Sequence, residues 1–346
     1  MTVLPSGLSK ILITEKKMEL NKIFTSGMIF AHSKPIRIFG KGSGTVTVEL
    51  ADNKKTHKFE GECWEIELPR MKCSGPHELK IDLDGKKTVL TDVYIGEVYL
   101  FSGQSNMQFK ICESNTPADL YCDNPLLRTF ATSRMEEGEF FFPEDGWIEC
   151  KKENVPKWSA IGYLVGNEIS KRKNIAVGVI TCYQGASVIE SWIPKGELEK
   201  AGISLSASEL HYDHASEIYS KWNGEATLYD FALSQIIPFS LTGVIWYQGE
   251  SDTSIAEAKV YAKELCIMIN SWRKAFKNDT LPFVNVQIAD YDERDDEAWH
   301  LLQDEQMKAS QMIDGTFCVK CADVCEKNNI HPPTKTFLSK RIADLL

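Results

Sequence analysis

No stretch of this 346-residue chain is apolar for long enough to cross a bilayer, and its first residues lack the charged-then-apolar order of a secretion signal. The reading is therefore of a protein without a membrane partner, expected in the cytoplasm. Excess positive charge is missing too. Lys and Arg number 39 against 49 Asp and Glu, a net charge of −10. That balance argues against binding to the phosphate backbone of nucleic acid and suits a small neutral or polar substrate better. A complete zinc signature is also lacking. Cys318-Val-Lys-Cys321 has the CxxC spacing, with Cys325 and His331 nearby, but no second CxxC accompanies it. Cys318–Val324 reads instead as a buried strand, so no metal is expected. The ten cysteines, spread along the chain without an export signal, read as reduced buried thiols.

What is present is ordinary globular material, 43% hydrophobic and 25% charged. The length exceeds what one core usually serves, which predicts two domains. Residues 1–20 form a leader with no strong signal. Residues 21–93 read as all-β: Ile36-Arg-Ile-Phe, Thr45-Val-Thr-Val-Glu-Leu and Trp64-Glu-Ile-Glu-Leu alternate with period two. The turn Asp84-Gly85 then joins His77–Leu83 to Thr88–Leu90 as a hairpin. Short strands at close spacing predict a small β-sandwich domain. From residue 94 to 346 strand-like and helical runs alternate, among them Trp158–Lys173, Ala176–Thr181, Gly243–Tyr247, Ala256–Phe276, Phe283–Ile288 and Ala298–Ile313. Such alternation predicts an α/β domain with a parallel sheet covered on both faces and a site at the carboxyl ends of its strands.

One stretch organises the rest. Val98-Tyr-Leu-Phe-Ser-Gly-Gln-Ser-Asn-Met107 begins as a run of β-formers and breaks at Ser102-Gly103. A strand that stops at glycine and hands over to Ser105 can expose a nucleophile, with free amides beyond it for an oxyanion. It can equally be an ordinary turn, and the stretch alone leaves both open. Three further polar loops follow: Cys182–Trp192, containing Gly185; Tyr247–Asp252, containing Gln248 and Glu250; and Asn328–Pro333, containing His331. Together they supply a hydroxyl, a base and extra donors, which are the parts of acyl transfer.

At these residues the chain resembles the SGNH (GDSL-like) hydrolase superfamily, in its sialate O-acetylesterase and acetylxylan esterase branch. Gly103-Gln-Ser-Asn-Met107 resembles the nucleophile block, and Gln184-Gly-Ala-Ser-Val-Ile-Glu-Ser-Trp192 the second block. Gly243-Val-Ile-Trp-Tyr-Gln-Gly-Glu-Ser251 resembles the third, and Ile330-His-Pro332 the last. The resemblance implies a flavodoxin-like three-layer α/β/α sandwich behind a β-sandwich domain. It implies Ser105 as nucleophile and His331 as general base. The oxyanion hole would be built from the amides of Ser105 and Gly185 and the side chain of Gln248. Gln104, Asn106, Glu250 and Trp192 are expected to bind substrate.

Two departures stand out. Asn328 and Asn329 replace the acid that the branch carries shortly before its histidine, leaving Asp323, Glu326 or Glu250 as candidate carboxylates. Ala186 replaces a glycine. The implied reaction is removal of acetyl groups from sugar hydroxyls through an acyl-serine, with no cofactor. The substrate would be a small-molecule or oligosaccharide acetyl ester. A sialate would call for a cation near the cleft, for which Arg134 is a candidate; acetylxylan or acetylmannan would not. Tyr183, Trp192, Trp222 and Tyr247 suit stacking on a sugar, although at least half of them are expected in the core. The other classes are a non-catalytic carbohydrate-binding protein on the same fold and a hydrolase of lipid esters or thioesters.

Overall fold

The computed structural model describes residues 18–346 apart from 137–138, 142–145, 205–209 and 211–215. Its first half follows from period-two alternation. Strands β1 (Glu19–Leu20), β3 (Ile36–Lys41) and β6 (Cys63–Leu68) form one antiparallel sheet. Strands β4 (Gly44–Leu50), β5 (Asn53–Phe59) and β7 (Ser74–Leu83) pair antiparallel beside the start of β8 (Lys86–Gly103), which also takes the short β2 (Ile29–Ala31) in parallel. Ile36, Ile38, Trp64 and Ile66 from one sheet and Val46, Val48, Leu79 and Ile81 from the other are all buried in one core. Each such side chain contributes about 1.5–3 kcal/mol relative to exposure.

Strand β8 is 18 residues long and belongs to both halves of the molecule. The expected boundary at residue 93 falls inside it. Its upper half is the centre of a sheet ordered β12–β9–β13–β8–β14–β15–β16. Here β9 is Asn124–Ala131, β12 Ile148–Cys150, β13 Val177–Tyr183, β14 Gly243–Tyr247, β15 Phe283–Val286 and β16 Thr316–Val319, while β10 (Arg134–Glu136) and β11 (Glu139–Phe141) pair only with each other. All neighbours are parallel except β12, which runs against β9 at the edge. Helices Ala160–Lys173 and Thr336–Asp344 cover one face, sharing a core with Ile245, Tyr247 and Val284. Helices Ile255–Ala275 and Asp296–Met312 cover the other, over Val244, Trp246 and Phe283. The domain is a three-layer α/β/α sandwich.

Register fixes where the loops emerge. Gly103 pairs with Tyr183 on one side and Tyr247 on the other, so three strands end level. The ladder runs one residue further: the amide of Gln104 donates to the Tyr247 carbonyl at 3.0 Å, and that of Gln184 to the Gly103 carbonyl at 3.0 Å. Gly103 sits at φ +133°, and a Cβ there would lie 2.0 Å from the Tyr247 carbonyl oxygen. Only glycine can turn the chain at this point.

Candidate active site

Directly after Gly103 the chain closes a single helical turn, Ser105–Gln108, in which the amides of Met107 and Gln108 donate back to the Gln104 carbonyl. Among the described residues no acceptor takes the amide hydrogen of Ser105. The turn is pinned from behind: Ser159 Oγ donates to the Met107 carbonyl at 2.7 Å, and the amide of Ala160 to the Phe109 carbonyl at 2.8 Å. His331 arrives from the far end of the sheet. After β16 the chain loops through Asn328–Pro333, where the His331 amide donates to Asn329 Oδ1 at 2.9 Å and the Asn328 amide to the Asp290 carbonyl at 3.2 Å.

These two turns bring residues 226 apart in sequence into contact. Ser105 Oγ and His331 Nε2 lie 2.7 Å apart. With the imidazole proton on Nδ1, the hydroxyl donates to Nε2, the arrangement a general base requires. Phe109 stacks on the imidazole with ring centroids 6.2 Å apart and an interplanar angle of 21°. Burial, together with the charges of Lys335 and Arg294 and against that of Glu113, holds the His331 pKa below its usual 6.5. The ring is therefore neutral and able to accept a proton near neutral pH. Gly185, at the end of β13, closes the site. A Cβ on it would lie 3.9 Å from Ser105 Cβ, and its amide donates to Gln108 Oε1 at 3.1 Å.

A family model described as carbohydrate esterase, sialic acid-specific acetylesterase, matches residues 95–344. The chain belongs to this family. Among curated relatives, the sialate O-acetylesterases of Homo sapiens and Pongo abelii are each 26% identical over 347 residues, 88% of this chain and 65% of theirs. The chain thus spans about two thirds of the length of those relatives. A solved carbohydrate acetylesterase from Xanthomonas citri superposes with a TM-score of 0.81 at 24% identity, over 95% of this chain and 74% of that one. At that identity the likeness is one of fold.

Within this esterase family member, several residues expected at the substrate are elsewhere. Gln248 is fully buried: its amide nitrogen donates to the Ser187 carbonyl at 2.8 Å and to Asp252, and its Oε1 accepts from Tyr261 at 2.8 Å. Both of its N–H groups are in use, so Gln248 braces two loops and is not an oxyanion donor in this arrangement. Gln104 is buried and accepts from the Gly249 amide at 3.2 Å. Asn106 is buried, donating to Glu250 Oε1 at 2.6 Å and to the Ile330 carbonyl at 2.8 Å, and accepting from Lys335 Nζ at 2.7 Å. Glu250 is buried with its pKa raised by desolvation. Trp192 packs edge-on against Trp246 at 5.8 Å in the core. All five side chains are buried and bonded or packed within the protein. Trp222 and Tyr247 are also core, and of the four aromatics only Tyr183 is partly exposed.

The candidate acids are likewise engaged away from the imidazole. Asp323 forms a two-pronged pair with Arg341, both contacts at 2.6 Å, which holds its pKa at about 2. Glu326 accepts from the amide of Thr334 at 3.0 Å and from Asn115 Nδ2 at 3.3 Å, bracing the histidine loop. Among the described residues no carboxylate is bonded to His331, and the site is a serine–histidine pair. Of the three cysteines of the C-terminal motif, Cys321 and Cys325 hydrogen-bond each other, Cys321 Sγ also donating to the Gln287 carbonyl at 3.1 Å and Cys325 Sγ to the Thr334 carbonyl at 3.8 Å, while Cys318 Sγ accepts from Asn285 at 3.8 Å. Cys63, Cys73 and Cys112 are exposed, contrary to the expectation of buried thiols.

Sequence reading missed Gln108, Phe109, Arg294 and Lys335. Phe109 is signalled by its place four residues after Ser105, one helical turn on. Lys335 carries no such signal, because lysines are rarely buried. Arg134 is partly buried beside Met135, whose amide and carbonyl are both bonded by the Gln184 side chain at 2.8 and 2.9 Å. Arg294 reaches the carbonyl of Glu250 and lies over the Trp299 ring at 5.9 Å.

Proposed function

We propose that this chain is a serine-type carbohydrate O-acetylesterase acting on acetylated sialic acids. The observation that carries the reading is the 2.7 Å contact between Ser105 Oγ and a neutral, partly buried His331. Ser105 attacks the acetyl carbonyl as its proton passes to Nε2 of His331. The tetrahedral oxyanion is met by the amide of Ser105 and by that of Gly185 once Gln108 has left it. Each such donor contributes roughly 3–4 kcal/mol to the transition state. His331 then returns the proton to the sugar alkoxide, and a water activated by the same imidazole releases acetate from Ser105.

One arginine bears on the sugar. A sialic acid carries a carboxylate, and the charge of Arg294 acts at His331, close to where the acyl group would sit. Tyr183, partly exposed at the end of β13, is the aromatic ring a pyranose would pack against. The intact nucleophile–base contact speaks against a binding protein that has lost its chemistry. Acetate release from 4-nitrophenyl acetate, from acetylated sialic acids and from acetylated xylo- and manno-oligosaccharides is measured for the native chain and for Ser105→Ala. The expected result is loss of at least ~1000-fold in kcat on every ester in the variant, and the highest native kcat/KM on the sialate. Equal activity of both proteins on 4-nitrophenyl acetate overturns the assignment of Ser105. A higher kcat/KM on the xylo- or manno-oligosaccharides overturns the sialate.

A further inference from the structure

Lys335 is fully buried at the start of the Thr336–Asp344 helix. Placing an ammonium group out of water costs several kcal/mol, so its surroundings must answer for it. Its Nζ donates to Asn106 Oδ1 at 2.7 Å and lies over two aromatic rings, 5.2 Å from the centroid of Phe109 and 5.3 Å from that of Tyr247. The titratable groups that act on it are Cys321, Cys325, Glu250 and Glu326.

Two of these contacts lead to the nucleophile–base pair. Asn106 follows Ser105 directly, and its amide nitrogen donates to the carbonyl of Ile330, the residue before His331, at 2.8 Å. Phe109, on the other side of the ammonium, is the ring that stacks on the imidazole. Lys335 therefore fixes which way the Asn106 amide faces: with Oδ1 held by the ammonium, Nδ2 must point at Ile330 and at Glu250 Oε1, 2.6 Å away. The turn bearing the base and the turn bearing the nucleophile are joined through this one amide.

We propose that Lys335 is the positioning residue of the active site, doing from beneath, through Asn106 and Phe109, what a carboxylate on the far nitrogen of a catalytic histidine does elsewhere. The inference rests on the Ser105–His331 reading. It differs from an acid in one chemical respect. A carboxylate favours the imidazolium, whereas a buried cation disfavours it. The groups that face His331 are Lys335 and Arg294, which oppose its protonation, and Glu113, which favours it. Burial brings the pKa of Lys335 itself down to about 8, so the side chain is charged where His331 titrates.

The test compares the native chain, Lys335→Met, Lys335→Gln and Ser105→Ala on 4-nitrophenyl acetate between about pH 5 and 8, with melting followed by circular dichroism. Lys335→Met should lower kcat by about 10- to 100-fold with KM within about twofold, because the pair is misplaced rather than the substrate unbound. It should also move the acid limb of kcat/KM upwards by about one pH unit, because the opposing charge is gone. Lys335→Gln keeps a donor for Asn106 without the charge; it should show the same moved limb with a smaller loss of kcat. A folded variant with native kcat, or with reduced kcat and an unmoved limb, overturns the proposal and makes Lys335 a fold residue only. If the Met variant does not fold, the limb and kcat of the Gln variant decide by the same criteria. Activity in Ser105→Ala equal to that of the native chain sinks the Ser105–His331 reading instead, and the two failures are thereby told apart.

Discussion

Gln108 occupies one donor that the proposed reaction needs. Its Oε1 accepts from the Gly185 amide at 3.1 Å, with Ser105 Cβ close to the same glycine. A carboxamide oxygen there imitates the oxyanion, so an incoming acetyl oxygen must displace it before the hole is complete. An amide–carbonyl hydrogen bond of this kind is worth about 0.5–1.5 kcal/mol net in water. Gln108→Ala removes the competitor while leaving the backbone turn in place, because the amide of residue 108 still donates to the Gln104 carbonyl. The expected outcome is a rise of about 2- to 12-fold in kcat/KM, the displacement cost returned in full. Gln108→Glu should act in the opposite sense. A carboxylate binds the Gly185 amide about twice as strongly and repels the developing oxyanion, and a fall of at least ~10-fold follows. The assay is initial-rate hydrolysis of 4-nitrophenyl acetate at pH 7.5 or thereabouts, with melting curves as a control; the side chain is half-buried, and its loss should leave the fold intact. A fall of ~10-fold or more in Gln108→Ala refutes the reasoning. It would mean that the amide group of Gln108 turns over and donates to the oxyanion itself.

Two more outcomes follow from the scaffold around the site. Ala186, where the family pattern has glycine, sits at φ +50°; relief of left-handed strain in Ala186→Gly, less the added backbone entropy of glycine, should stabilise the chain by about 0.5–1 kcal/mol, read as a higher denaturation midpoint at unchanged slope. Glu264 is buried in the Ile255–Ala275 helix with neither carboxylate oxygen bonded, and burial, with Glu190 and Glu257 adding to it, pushes its pKa well above 4.5. Because the native state then holds a proton that the unfolded state gives up, the stability it contributes is whole below about pH 4.5 and is lost as pH rises towards the native pKa. Glu264→Gln removes that slope. Denaturation should find the variant more stable than the native chain at pH 8 and equal to it at pH 4.5; an equal gain at both pH values would refute the titration.

Much of the fold is legible because burial leaves a periodic trace. The alternation in Thr45–Leu50 and Trp64–Leu68 and the Asp84-Gly85 turn correspond to β4, β6 and the β7–β8 hairpin. Runs buried on both sides, such as Gly243–Tyr247, correspond to central parallel strands. Strand β9 is not legible, and the reason is local. Asn124-Pro-Leu-Leu-Arg-Thr-Phe-Ala131 opens on a proline and carries Arg128 in its middle, a residue that reads as solvent-facing. In the fold Arg128 is buried, paired with Asp92 at 2.7 Å and lying over the ring of Tyr94 at 4.6 Å. Its partner Asp92 lies 36 residues earlier in the chain, which no window of neighbouring sequence can reveal.

The site divides along the same line. Residue type and strand-end position put Ser105 and His331 among the candidates, since chemistry restricts what a nucleophile and its base can be, and the resemblance to the esterase blocks is what singles them out. The direction in which an amide faces is set by partners far along the chain. Gln248 looks like a donor to substrate because it lies in a strand-end loop, yet Ser187, Asp252 and Tyr261 take every hydrogen-bonding group it has. Asn106 is in the same position, with its two ends claimed by Lys335 and by Ile330 and Glu250, between 144 and 229 residues away. Polar residues flanking a nucleophile are thus as often the frame that holds it as the surface that meets substrate. What distinguishes the two is whether the hydrogen-bonding capacity is already spent within the protein. By that criterion the amide of Ser105 and the exchangeable one of Gly185 are the groups left for the proposed ester. The missing acid then follows as a consequence of framing: a base held by its own backbone, by a stacked ring and by an amide anchored on a buried cation has its orientation fixed without a carboxylate.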